Sequence, residues 1–444
     1  MQAFLRSKAT VFGFLLMLGI SIAGILTGKQ YLAQQEEAIS AASDFQQDHI
    51  ERYTGYFKDD LGLLLYYLKF SLIHKPDRLA GLSTGQGDIN PRILSLTIRT
   101  LEAQKHDTDL SNPVNLQAGR MDIAFIIIYL FPLLIIAFTF NLISEEQEKG
   151  SWRLILVQSG KPLSFIWTKL AVRMAVVIAA LLLILFLAGI WFRPSLNMRW
   201  WAFAGLAVAY VSFWFGLSIF VTSFQKSSGY NAQILLSFWV ILTMLLPAGI
   251  NNYLSNRYPV PEAFSAMLQQ RDGYHKKWDE DKLTTMNAFY KAYPEYAKYP
   301  LPQKTFSWIW YYAMQEMGDL ESKAAAAAFR EKMEQRERTS SILGFFIPTV
   351  HTQLQFNRLA KADLNHHLRF LDKTADFHTQ WKHFFYPKIF EEKPVSSVDW
   401  AEITPEYFLT TEQPAWVLTL LPVLIFTFLL FAATHVKLKR MSGA

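Results

Sequence analysis

Six apolar runs alternate with polar segments along the chain, and each run is long enough to cross a lipid bilayer. About 20 largely apolar residues in a helix span the roughly 30 Å of hydrocarbon. The first run lacks a small-x-small cleavage site, so we expect an anchor helix rather than a cleaved signal peptide. The pattern predicts an α-helical membrane protein with about six transmembrane helices. The runs are Val11–Thr27, Ile123–Leu142, Ile166–Phe192, Trp200–Phe224, Ala232–Ile250 and Ala415–His435.

Two long polar segments interrupt this pattern. One begins with a polar helical pattern over Gln30–Phe70, and the other contains a helix predicted over Ser322–Glu337, where an alanine run favours helix. The second shows no sustained alternation that indicates a sheet. We therefore expect one mainly helical external domain built from two insertions. The predicted divisions are 1–28 (N-terminus and first span), 29–120 (first insertion), 121–250 (four spans), 251–413 (second insertion) and 414–444 (last span and tail).

Basic residues beside the apolar runs predict the orientation. By the positive-inside rule, both termini and the connector 141–162 lie in the cytoplasm. The opposite short loop carries Arg193 and Arg199. Lys169 and Arg173 share one helix face, and we expect them to snorkel toward lipid headgroups. The residues on the cytoplasmic side are Arg6, Lys8, Lys149, Arg153, Lys161, Lys169, Arg173, Lys226, Lys437, Lys439 and Arg440.

Composition narrows the function classes. The 444 residues are 51% hydrophobic, which is more than a soluble enzyme usually has and less than a pure bundle of spans. The net charge is +6, and much of it lies beside the spans, so we expect no nucleic-acid partner. The chain has no cysteine, which excludes disulfides, thiol catalysis and cysteine-ligated metals.

The histidines of the second insertion are candidate metal ligands. His366 and His367 are adjacent and diverge on a helix, while His378 and His383 are five residues apart. Because a metal site needs imidazoles that converge on one point, we favour packed or solvated histidines over a zinc or copper site. The group comprises His351, His366, His367, His378 and His383.

The chain contains no phosphate-binding loop. The pairs Gly28-Lys29 and Gly160-Lys161 lack the upstream glycine and the following Ser or Thr. Any use of ATP therefore requires a separate subunit. Asp122 is interpreted as the N-cap of the second span, and Ser144 with the acidic residues after it as the start of a helix. No catalytic residue is assigned.

The connector 141–162 is longer and more amphipathic than a turn between two spans requires. It predicts a surface helix over 143–162 that is available to bind a cytosolic partner. Its apolar side carries Trp152, Leu154, Ile155 and Leu156. Its polar side carries Glu145, Glu146, Glu148, Lys149 and Arg153.

This connector resembles the E-x-E-x-G-[TS] motif that follows the second span in permease subunits of ABC-2-type exporters. Ser151 stands where threonine is common and keeps the hydroxyl. A narrower resemblance, to permeases with large inserted periplasmic domains, is carried by residues 79–88, 112–122, 129–132 and 375–385. The matching connector residues are Glu145, Glu146, Glu148, Lys149, Gly150 and Ser151, followed by Leu154, Leu156 and Lys169.

The resemblance implies a permease subunit in a bacterial plasma (inner) membrane, without catalytic, cofactor or metal residues. ATP and Mg would be bound by a partner ATPase subunit. A second permease, in a homodimer or heterodimer, would meet it along spans one, two and five, where we expect local unwinding near Pro247 and Gly249. The ATPase would dock on a coupling helix at Glu145, Glu146, Glu148, Lys149, Gly150, Ser151, Trp152 and Arg153.

Two other functions fit part of the pattern. A membrane sensor or scaffold with a ligand-binding external domain would be expected to have one or two spans and a cytosolic output domain. A membrane enzyme acting on lipid or peptidoglycan would need a polar constellation at the membrane edge. The sequence shows neither feature, and it leaves the transported substrate open.

Overall fold

The computed structural model describes residues 7–105, 120–152, 162–260, 276–300, 306–410 and 415–441. Within these ranges, six helical segments are long and apolar enough to cross a membrane, which confirms the predicted α-helical membrane protein. We call the end where both insertions attach the insertion side, and the end where spans 2 and 3 connect the junction side. Spans 1 to 6 are Thr10–Tyr56, Ile123–Glu148, Leu163–Phe192, Met198–Thr222, Ser228–Arg257 and Trp416–Arg440.

The first helix continues well beyond the membrane. It covers Lys8–Tyr56, 49 residues, which at 1.5 Å per residue is about 73 Å. The hydrocarbon layer is only about 30 Å thick. The predicted boundary at residue 28 therefore falls inside one continuous helix, which joins the bilayer to the first insertion without a loop.

The insertions are mainly helical, but they also contain a three-stranded sheet. Strand β1 pairs antiparallel with β2 and parallel with β3. The sequence does not predict this sheet, because all four residues of β1 are buried and show no alternation of apolar and polar positions. The strands are β1 (Phe70–Ile73), β2 (Ile93–Leu96) and β3 (Glu406–Tyr407). The helices are α1 (Leu61–Tyr67), α2 (Glu102–Lys105), α3 (Lys282–Ala292), α4 (Trp308–Phe345), α5 (Pro348–Leu359) and α6 (Leu364–Phe390).

Side chains from both insertions form one hydrophobic core. The Phe70 ring on β1 stacks on Trp381 and Phe385 of α6, with ring centroids 4.4 and 5.5 Å apart. Strand β3, from the second insertion, extends the sheet beside β1. The two insertions therefore share one core built around β1. Its other buried members include Leu64, Leu68, Leu96, Met286, Phe289, Trp310, Tyr312, Phe377 and Ile389.

Helix α5 packs against the spans and belongs to their core. Its Phe356 ring stacks on Phe203 of span 4 at 4.2 Å. The His351 imidazole donates from Nε2 to the Thr419 carbonyl oxygen of span 6 at 2.9 Å. One helix of the second insertion is therefore also part of the membrane region.

Spans 2 and 5 each contain a π-helical turn ahead of a proline. The turns are Ile126–Leu130 and Ile241–Leu245, and Pro132 and Pro247 lie at the start of the helical segments that follow. A proline inside a helix clashes with the carbonyl four residues earlier, and the extra residue of a π turn relieves that clash. The expected unwinding near Pro247 and Gly249 is wrong, because the helix continues past both.

Two side chains bond the carbonyls of the first π turn. The Tyr210 hydroxyl donates to the Ile128 carbonyl oxygen at 3.0 Å, which Pro132 has no N–H to reach. Trp239 Nε1 donates to the Tyr129 carbonyl oxygen, also at 3.0 Å. An unsatisfied backbone group in hydrocarbon costs several kcal/mol. These two bonds therefore hold spans 4 and 5 to span 2.

Asp122 caps span 2 as predicted, and it also holds the preceding loop. Its carboxylate accepts hydrogen bonds from the backbone N–H of Phe125 and of Thr84, both at 2.8 Å. Burial raises the pKa of Asp122 to about 6. The carboxylate therefore ties the insertion-side end of span 2 to the first insertion.

A buried polar chain links span 1 to both insertions. Arg92 Nε donates to the Tyr31 hydroxyl at 3.0 Å, and Arg92 Nη1 lies 3.4 Å from His74 Nδ1. His74 Nε2 in turn lies 3.1 Å from His366 Nε2 of α6. Burial, aided by the charge of Arg92, lowers the pKa of His74 to about 2. Burial, aided by Arg369, lowers the pKa of His366 to about 3.

Of the five histidines considered as ligands, His351, His366 and His378 are buried, and His383 is exposed. His366 lies against His74, a histidine outside this group that carried no signal in the sequence, and His367 is partly buried. Within the described residues, no group of three or more His, Asp or Glu side chains could hold a metal ion.

We expect acid to destabilise the folded insertions through the two paired histidines. An unfolded histidine takes up a proton near pH 6.5, whereas His74 and His366 do so only near pH 2 to 3 in the fold. The unfolded state then binds more protons, so stability falls as the pH drops below 6.5, by up to about 1.4 kcal/mol per pH unit and histidine. Thermal unfolding of His366→Gln should depend less on pH between 6.5 and 5 than that of the wild type.

The wild type supplies the control for this comparison, because the two proteins share every other titrating group. Equal slopes of the unfolding midpoint against pH in the wild type and in His366→Gln would contradict the assignment.

Candidate functional site

The chain reverses direction at residues 140–152, on the junction side. After a turn that ends span 2 proper, a short helix forms over Ser144–Glu148, and a second turn follows it. Gly150 has a φ of +73°, in the left-handed region that favours glycine. The predicted surface helix over 143–162 is therefore broken at Gly150. Arg153 lies outside the described residues.

Glu145 and Glu146 contact the start of span 3. Lys169 Nζ lies 3.1 Å from Glu146 Oε1 and 3.7 Å from Glu145 Oε2. Glu145 also accepts from Lys149 Nζ, and Glu146 accepts from Ser151 Oγ, each at 2.6 Å. Lys169 was expected to reach for lipid headgroups. It pairs with the connector instead, because two carboxylates lie within its reach.

Arg173, one helical turn further into span 3, is buried. Its guanidinium donates to the Phe138 carbonyl oxygen and, at 3.5 Å, to Asn141 Oδ1. The last carbonyls of a helix have no intrahelical partner and carry partial negative charge. Arg173 therefore caps the end of the helix in span 2, and the prediction that it snorkels is also wrong.

Glu148 contacts the start of span 5. Its carboxylate accepts from the Ser228 backbone N–H at 2.7 Å and from Ser228 Oγ at 2.9 Å. Ser144 Oγ lies 2.8 Å from Ser228 Oγ, and it must be the donor because Ser228 gives its proton to the carboxylate. Ser144 was interpreted as a helix start, but its hydroxyl bonds across to span 5 rather than capping its own helix.

These contacts make one unit, which we call the junction: residues 141–152 together with Lys169, Arg173 and Ser228. A carboxylate at the N-terminus of span 5 and a guanidinium at the C-terminal end of span 2 each complement the helix dipole they face. Three spans are therefore bonded to one short turn. Any force on that turn reaches spans 2, 3 and 5 together.

The predicted docking residues have different surroundings. The Lys149 side chain is 68% exposed and Gly150 lies beside it on the surface. Trp152 is partly buried against the core of the spans. The three glutamates are engaged within the chain. The exposed face is thus the turn of Glu148, Lys149 and Gly150, while Glu145 and Glu146 are partly buried beside it.

A cavity of about 730 Å³ opens beside the junction, between the junction-side ends of spans 1, 2 and 3. Thr10 and Gly13 of span 1 line one wall. The charged groups in the wall are Glu145, Glu146, Lys169 and Arg173, whose charges cancel. The described wall of the cavity therefore carries two acidic and two basic side chains and no net charge.

Sequence reasoning missed the partners on the spans. Ser227 and Ser228 directly before an apolar run are an N-terminal helix signal, and Ser227 Oγ does accept from the Tyr230 N–H at 3.4 Å. That signal identifies the helix start but not Glu148, which is 80 residues away. Asn141 carried no signal at all.

Comparison with known proteins adds one partial match. Residues 263–408 match a family model described as a domain of unknown function (DUF3526). No curated protein and no solved structure matches the chain. The matched region lies in the second insertion and includes α3 to α6, so it contains no residue of the junction.

We expect Glu148→Gln to speed amide hydrogen exchange at the start of span 5. The substitution replaces a hydrogen bond to a charged acceptor with one to a neutral amide oxygen, which is weaker by about 1 kcal/mol and corresponds to roughly fivefold faster exchange. Mass spectrometry of a peptide that begins at Phe224 measures the change at Ser228.

Glu145→Gln is the matched control, because it neutralises a carboxylate of the same short helix that does not contact span 5. Exchange at Ser228 should stay at the wild-type rate in this variant. Similar exchange in both variants would show that Glu148 does not hold the start of span 5.

Proposed function

We propose that this protein is the membrane-spanning permease subunit of an ATP-binding-cassette exporter. The observation that carries the proposal is the junction. Its E-x-E-x-G-S residues bond one short turn to spans 2, 3 and 5, and leave Lys149 exposed at its tip. A turn with this arrangement suits a partner that pushes on it repeatedly.

The mechanism follows from those bonds. An ATPase subunit that binds ATP and Mg closes on itself and displaces whatever helix or turn is seated in its surface. Displacement of the junction pulls on span 3 through Lys169 and on span 5 through Glu148. The ATP chemistry belongs to the partner, and this chain converts the displacement into movement of its spans. The junction and both termini then lie in the cytoplasm, and the insertions form a periplasmic domain.

A second permease subunit belongs to the same proposal. Most of span 5 is left uncovered by the rest of the described chain, and it exposes Gln233 as well as large apolar side chains such as Leu236 and Met244. A glutamine side chain facing hydrocarbon is costly, whereas a neighbouring helix supplies hydrogen-bond partners. The span 5 face therefore suits contact with another permease, and span 2 lies next to it.

The decisive experiment purifies the intact protein from its native membrane and measures ATP hydrolysis in the preparation. We expect a P-loop ATPase to co-purify and its activity to be present. Lys149→Glu reverses the exposed charge at the tip, and Gly150→Pro forbids the positive φ, since proline holds φ near −65°. Both variants should reduce the co-purified ATPase and the activity about tenfold.

Arg440→Glu is the control, since it reverses an exposed basic residue on the same side at the end of span 6. It should retain the ATPase. Absence of a P-loop ATPase from the wild-type preparation, or its equal retention in Lys149→Glu and Arg440→Glu, would overturn the proposal. The sensor alternative would gain support if the protein then purified with a ligand on its external domain instead.

A further inference from the structure

A wide groove runs along the last four turns of α4, where the second insertion meets the spans. Its volume is about 960 Å³. Arg358 of α5 and Asn365 of α6 form its other wall. The α4 residues in the groove are Glu331, Glu334, Gln335, Glu337, Arg338, Ser341, Ile342, Phe345 and Phe346 at its end.

The end of this groove at Phe345 and Phe346 lies at the depth of the membrane. Helix α5 runs back along span 4, since its Leu359 carbonyl accepts from Arg199 at 3.5 Å and its Thr349 Oγ1 lies 3.4 Å from the Tyr210 hydroxyl. Tyr210 is about 18 Å along span 4 from Met198, at 1.5 Å per residue. That is more than half of the roughly 30 Å hydrocarbon layer. The start of α5 therefore lies inside that layer.

The tip between α4 and α5 is tight and apolar. An added Cβ at Gly344 would come within 3.1 Å of Leu354 and 3.2 Å of Val350, so glycine permits the two helices to approach closely. Beside it, Ile342 is 55% exposed and Phe346 is 65% exposed. Large apolar side chains at this depth face lipid rather than water.

The side chains along the groove change from apolar to basic to acidic with distance from the membrane. Ile342 and Phe346 lie at the membrane end, exposed Arg338 comes next, and Glu331 and Glu334 lie furthest from the membrane. From Phe345 to Glu331 the helix rises about 21 Å. The buried Glu337 pairs with Arg358 at 3.6 Å and does not alter this order.

We propose that the groove binds one phospholipid with a zwitterionic, ammonium-bearing headgroup from the insertion-side leaflet. The acyl chains would lie on Ile342 and Phe346, the phosphate at Arg338, and the ammonium at Glu331. Glu331 Oε1 accepts from Gln335 at 3.1 Å, which leaves its other oxygen for the ammonium, whereas Glu334 pairs with Arg330 at 2.7 Å and adds only a nearby negative charge. Acyl chain, phosphate and ammonium follow one another in that order along such a lipid. Among the described residues, Pro259 and Tyr258 do not enter the groove, because they contact α4 through Lys332 and Arg336 on another face.

The depth of the tip can be measured because the chain has no native cysteine. Phe346→Cys and Lys323→Cys would each carry an environment-sensitive fluorophore, in vesicles of phosphatidylethanolamine and phosphatidylglycerol with a chain-labelled quencher lipid. Lys323 is an exposed residue of the same helix, about 34 Å from position 346. The label at 346 should be quenched and blue-shifted, and that at 323 should not. Equal, water-like signals would overturn the proposal.

Headgroup binding is tested with a photoactivatable phosphatidylethanolamine. It should label the α4 peptide of the wild type more than the matching phosphatidylglycerol probe does. Arg338→Glu should lower the labelling about fivefold or more, the effect of losing one basic contact near a membrane surface. Lys323→Glu is the matched control and should keep wild-type labelling.

Two results would overturn the lipid site. One is equal labelling in Arg338→Glu and Lys323→Glu. The other is oxidative cross-linking of two copies through Phe346→Cys, which would make this face a contact between protein chains. Neither result depends on an ATPase partner, so the lipid site and the exporter proposal can fail separately.

Discussion

The requirement that hydrocarbon leaves no backbone polar group unpaired organises the membrane part of this protein. Three carbonyl oxygens of span 2 show it, at Phe138, Ile128 and Tyr129. Each is bonded by a side chain from a different span. The hydrogen bonds that remove the free-energy cost of an unpaired carbonyl are therefore the same bonds that hold spans 3, 4 and 5 around span 2. Two of these carbonyls, at Ile128 and Tyr129, lie in the π turn ahead of Pro132. The side chains that bond them come from spans 4 and 5, so an irregular turn in one helix connects it to two others.

At the junction, charged side chains likewise provide partners for the unpaired backbone groups at helix ends. Arg173 is directed at the carboxyl end of the helix in span 2, and Glu148 at the amino end of span 5, so each charge faces the helix end of opposite sign. The acidic motif is thus required by the spans themselves, independently of any partner. A substitution at Glu148 is therefore expected to destabilise the start of span 5 whether or not a partner binds the turn, and the exchange measurement reports that effect alone.

The sequence could predict the spans because a run of about 20 apolar residues has few alternatives to a membrane helix. It could also predict the cap at Asp122, which acts on its own helix. It could not predict the partners of Glu148 or Lys169, since both depend on which spans become neighbours. The sheet was missed for a related reason: β3 is two residues long and is stabilised by β1, more than 300 residues earlier.

Span 5 links the junction to span 2 and to α4. Its first residue is held by Glu148 of the junction, its middle by the Trp239 bond to span 2, and its far end by Tyr258, whose hydroxyl lies 3.0 Å from Thr339 of α4. The span is otherwise little covered by the described chain. A helix fixed at both ends and at one point between, with few other contacts, transmits displacement along its length. A movement at the junction would therefore be carried along span 5 to α4 at its far end, as well as to span 4, which ends only a few residues before Ser228.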